Sequence, residues 1–180
     1  MNGYRWFKTA IFALLACNAA IFSFTGTSAE ALDAGAWLIL LALFELETGH
    51  GPWPGTTHAA TVLHAVRLVA AAAIVTAAVG YVYQGQWLDA LNTGLWIAVV
   101  ALLELEVRYP DAVTRRRTAC TALAVMLYAG LAALVPVWAW RGEWFDAYDA
   151  TLWLVAFATI EINVLRFASG KRLAELGDKA

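Results

Sequence analysis

The sequence predicts an all-α integral membrane protein: six transmembrane helices, built as three repeated helical hairpins in a pseudo-threefold bundle, with N- and C-termini cytoplasmic. Three observations carry this reading. Of 180 residues, 62% are hydrophobic and 14% charged, whereas soluble domains run at roughly 45–50% and about 25%. Six stretches approach the roughly 20 apolar residues that cross about 30 Å of hydrocarbon. An acid-and-tryptophan pattern recurs three times at near-constant spacing. The net charge of −2 leaves no basic field for nucleic acid. Two cysteines cannot build a disulfide framework.

The first span runs from Phe7 to Thr25 and the second from Ala31 to Thr48, followed by a Gly-, Pro- and His-rich loop to His58. The third covers Val62 to Tyr83 and includes the run Ala70–Ala73. The fourth, Asp89 to Arg108, is stopped by Tyr109-Pro110; the fifth is Thr118 to Trp138 and the sixth Ala147 to Arg166. Backbone groups in lipid must pair within the protein, and without the alternation of a barrel that requires helices. Arg5, Lys8, the apolar run to Phe24 and the small residues Thr27-Ser28-Ala29 imitate a cleavable leader; membership of the segment in the repeat argues for retention.

Orientation follows from the cations. With the N-terminus inside, eleven of the twelve Lys and Arg residues fall on the cytoplasmic side, and Arg141 falls outside. Cytoplasmic loops carry such an excess. The outer side gathers Tyr81, Tyr83, Trp87, Trp138, Trp140, Trp144 and Tyr148, as expected of an aromatic belt at headgroup depth.

The even-numbered helices align without gaps from Glu30, Asp89 and Asp146, at offsets of 59 and 57 residues. Each reads [Asp/Glu]-Ala-x-[Asp/Asn], then Trp37, Trp96 or Trp153, then Glu45, Glu104 or Glu161, then Glu47, Glu106 or Asn163. The repeats span approximately 5–48, 62–108 and 118–166 within a single transmembrane domain covering 1–180. The leading acid suits a helix N-terminus, and the Trp suits packing. At about 100° per residue these positions share one broad sector, which predicts that they face the bundle interior.

The acids near the inner ends are the candidate site. A carboxylate at membrane depth costs on the order of 2.5–3.5 kcal/mol on insertion scales, so Glu45, Glu104 and Glu161 should face protein or water. One role is structural, with Arg67, Arg108 and Arg166 entering from the inner interface as partners; Glu104 and Arg108 are spaced i,i+4 in the favourable order. The other is a cation or proton path shared by acids from different repeats. His50, His58 and His64 match no zinc or haem spacing, and no catalytic motif is present. No metal, cofactor or enzymatic activity is therefore expected. The expected role is an accessory or scaffold subunit of a larger membrane complex, or a homo-oligomer, in a bacterial inner membrane; the alternative is a cation or proton channel or transporter using Glu45, Glu104 and Glu161.

Overall fold

The computed structural model describes residues 2–49 and 57–159, and every element in them is helical. The elements are α1 (Asn2–Thr25), α2 (Ser28–Gly49), α3 (Thr57–Gln84), α4 (Trp87–Arg108), α5 (Pro110–Arg115) and α6 (Arg117–Arg141), followed by a helix over 144–159, here α7. Among the described residues, four segments are long and apolar enough to cross a membrane: Trp6–Thr25, His58–Gln84, Trp87–Leu105 and Arg117–Arg141. α2 falls outside this set because any 18-residue window of it holds at least three of Glu30, Asp33, Glu45 and Glu47. The short α5 is not foreseen by the sequence reading; Pro110 opens it at a position where a missing N–H costs nothing.

The described residues form two compact units, 2–15 with 135–159, and 16–49 with 57–134. In the larger unit α2 packs on α3 and α3 on α4. The start of α2 meets the end of α3, where a Cβ on Gly80 would stand 3.2 Å from the Ala29 Cβ; the two helices are therefore antiparallel. α2 and α4 run parallel: Glu30 meets Gln86, Asp33 meets Thr93 and Trp37 meets Trp96, in the same order along both. The Trp37 and Trp96 rings lie 6.4 Å apart at 60°, and the Trp96 ring meets Tyr128 edge-on at 6.4 Å. This aromatic row links α2, α4 and α6, and its Trp96–Tyr128 pair has the edge-to-face geometry that rings favour. In the smaller unit, Trp138, Ala147, Ala150, Trp153 and Ala156 are buried, and Trp153 packs on Phe157 with centroids 6.3 Å apart.

The tight turns share one construction. Gly85 and Gly142, 57 residues apart, both have positive φ, +74° and +83°. In each, the next residue's N–H reaches back five residues, from Gln86 to the Tyr81 carbonyl and from Glu143 to the Trp138 carbonyl. This is the left-handed helix ending in which glycine lacks the Cβ clash. The carbonyls of Thr27, Gln86 and Glu143 then accept the first bond of the following helix, from Ala31, Ala90 and Ala147. These positions keep the 59- and 57-residue offsets, while the positive φ is found at Gly85 and Gly142 and not at Gly26.

Two members of the expected aromatic belt are corrected. Tyr81 and Trp138 are 3% and 2% exposed and belong to the protein interior. Tyr83 and Trp140, two residues on and about 200° round the helix, are 87% and 94% exposed. Phe24 holds the equivalent position in the first hairpin and is also exposed. Trp87, Trp144 and Tyr148 are exposed as the belt requires.

Candidate functional site

The polar cluster with the most complete geometry lies where α2 and α4 begin and α3 ends. Thr27 and Glu30 form a reciprocal cap: the Thr27 N–H donates to Glu30 Oε2 at 2.7 Å, and the Glu30 N–H donates to Thr27 Oγ1 at 3.3 Å. This is the Thr-x-x-Glu capping box, which satisfies two amides that a helix start leaves open. The same small-residue stretch that imitates a cleavage site is thus the entry to α2. Glu30 has a second task, since its Oε1 accepts the Gln86 side-chain amide at 3.0 Å, linking the α2 cap to the α3–α4 turn.

One helical turn further in, Asp33 gathers three donors. Its Oδ1 accepts Trp37 Nε1 at 3.0 Å. Its Oδ2 accepts Thr93 Oγ1 at 3.1 Å and, at a long 3.4 Å, the Tyr81 hydroxyl. Thr93 is 0% exposed. In α2, then, the acid that opens the motif, Glu30, caps the helix, and Asp33 three residues later bonds its own Trp37 while tying α2 to α3 and α4; α4 begins without a side-chain cap bond. Chemically this is an acceptor shared by neutral donors. Both hydroxyls belong to buried residues. The second copy differs, because Asn92 replaces Asp33 and its buried Oδ1 has no hydrogen-bond partner among the described residues.

The acids singled out from the sequence lie at the opposite ends of the same helices. Glu45 in α2 is half-buried, with Oε2 enclosed, and Glu104 in α4 is exposed; the first acid of the pair thus meets different surroundings in two copies. Arg67 in α3 is half-buried. Glu47 lies in the last turn of α2, Glu106 in the last turn of α4, and Arg108 ends α4. Glu161, Asn163 and Arg166 lie outside the described residues, as does His50. His58 and His64 are exposed on α3. Tyr81, Thr93 and Gln86, which complete the observed cluster, were not among the residues the motif marks. Tyr81 and Thr93 stand at places where the repeat varies, whereas Gln86 shares a register with Thr27 and Glu143, and Gly85 with Gly26 and Gly142; extending the alignment through the turns would have found these two.

Compared with protein-family models, with characterised proteins and with solved structures, the chain has no match.

Proposed function

We propose that the chain is a six-span membrane protein, three hairpins around a pseudo-threefold axis with both termini cytoplasmic, that serves as an accessory or scaffold subunit of a larger complex in a bacterial inner membrane. The observation that carries this reading is that the hydrogen bonds of the polar cluster tie helices to one another. Asp33 spends its acceptors on Trp37, Tyr81 and Thr93, and Glu30 spends its own on Thr27 and Gln86. Polar groups used this way fix helices against one another, where lipid supplies no hydrophobic drive for association. The large apolar side chains turned outward, among them Leu68, Val69, Val75, Val125 and Met126, suit lipid and neighbouring subunits.

The experiment is purification in a mild detergent, with mass spectrometry of what accompanies the protein. A stoichiometric membrane partner, or a defined homo-oligomer, supports the subunit reading. Recovery as a monomer that conducts protons or cations in proteoliposomes replaces it with the transport reading through Glu45, Glu104 and Glu161. Half-buried Glu45 is the observation that favours that second reading, because a carboxylate held at membrane depth is a functional marker by default.

A further inference from the structure

The connector between α4 and α6 carries a charged patch that the polar cluster and the proposed scaffold role leave unused. Arg115 closes α5, Arg116 follows it and Arg117 opens α6, and all three are exposed. Among the described residues none of the three has an ion-pair partner. Asp111, at the start of α5, offsets one of the charges. The setting also opposes them. α6 has no acid in its first turn, so Arg116 and Arg117 stand at the positive end of its dipole, with the Arg115 charge directly before them. α2 and α4, by contrast, begin with Glu30 and Asp89. An anion from outside the chain would relieve both the mutual repulsion and the dipole.

Position identifies that anion. The connector joins two segments of membrane-crossing length, Trp87–Leu105 and Arg117–Arg141, so the arginines stand at the edge of the hydrocarbon. Exposed Tyr109 precedes α5, and an amphipathic ring is most stable at headgroup depth. Guanidinium groups engage phosphate oxygens through paired N–H donors. A lipid phosphate is held by its acyl chains at the level where these donors project. We propose that Arg115, Arg116 and Arg117 form a binding surface for the phosphate groups of anionic phospholipids. The inference rests on the membrane reading above.

The test uses the full-length chain reconstituted in phosphatidylcholine vesicles, with spin-labelled phosphatidylglycerol or phosphatidylcholine as reporter of the lipid at the protein surface. The expected result is a preference for phosphatidylglycerol that falls about fivefold per arginine removed in Arg115→Gln, Arg116→Gln and Arg117→Gln combined. The corresponding three Lys substitutions, which keep the charge but not the paired donors, should lower it less, and it should remain unchanged in Arg141→Gln. If the triple variant is not recovered, Arg116→Gln alone and a salt titration of the native chain read the same quantity, both lowering the preference. Equal association of the two lipids, a preference unmoved by loss of the arginines (as when the patch serves an acidic protein), or displacement by inorganic phosphate at matched concentration would each overturn the proposal. Flotation after an alkaline wash separates the two readings. Protein that floats with the vesicles but shows no lipid preference sinks this inference alone, whereas protein that does not float with them sinks the membrane reading and this inference with it.

Discussion

Asp33 is the residue on which Trp37, Tyr81 and Thr93 all depend for an acceptor. Removing it strands donors that are almost fully enclosed, and an unmet buried polar group costs about 1–3 kcal/mol. Asp33→Ala should therefore lower thermal stability in detergent by clearly more than Thr93→Val, which deletes one donor and leaves the carboxylate its other bonds. In a double-mutant cycle the two should couple; strict additivity would show that the 3.1 Å contact carries no energy. Asn92 makes the converse case. Its Oδ1 is buried without a hydrogen bond among the described residues, so Asn92→Leu should be near neutral or stabilising, while Asp33→Leu should not be. The sequence made the leading acid legible as a cap because capping follows from local position alone. The partners of Asp33 were not legible, since Tyr81 and Thr93 reach it across 48 and 60 residues, and no local rule specifies that.

At the level of the elements, apolar length defined the helices well, and the hairpin turns decide how those helices return. Gly85 and Gly142 adopt the left-handed conformation, which costs an L-residue roughly 1–2 kcal/mol. Gly85→Ala should destabilise by about that amount, and Gly85→Asn by less, because Asn tolerates this region; equal melting points for the two variants would refute the turn's role. At the start of α2, Glu30→Ala removes both the capping bond to Thr27 and the link to Gln86. Loss of a cap is worth about 0.5–2 kcal/mol. Glu30→Gln, which keeps an acceptor for the Thr27 amide, should recover part of the loss, as read by thermal unfolding. α5 escaped the sequence reading because a six-residue helix is too short for periodicity to register, and Tyr109-Pro110 reads equally as a stop.

For the whole molecule the quantity to measure is the number of crossings, and with the N-terminus inside one labelling pattern settles it. Four segments have both the length and the apolarity to span, while α2 carries too many acids to be counted with them. Those acids are not bare, however. Glu30 is consumed in the cap and Asp33 by three donors, which removes much of the penalty that exposure to lipid would impose. α2 also runs parallel to α4 with its residues matched in order, so if α4 crosses the bilayer, α2 lies beside it at the same depth. Crossing by α2 reverses the sidedness of everything downstream as far as α6. With six spans and the N-terminus inside, the turn at Gln84 is external and the connector at Ala112 internal; with four spans, α2 and α7 staying out of the bilayer, the two exchange sides. Only the first keeps Arg108 and Arg115–Arg117 cytoplasmic, as the distribution of basic residues requires. In a chain whose Cys17 and Cys120 are replaced by Ser, Gln84→Cys should react with a membrane-impermeant maleimide on intact cells, and Ala112→Cys should react only after permeabilisation. Both positions are exposed on the protein, so failure to react reports the membrane barrier rather than burial. The opposite pattern would reduce the protein to four spans and dissolve the three-hairpin arrangement.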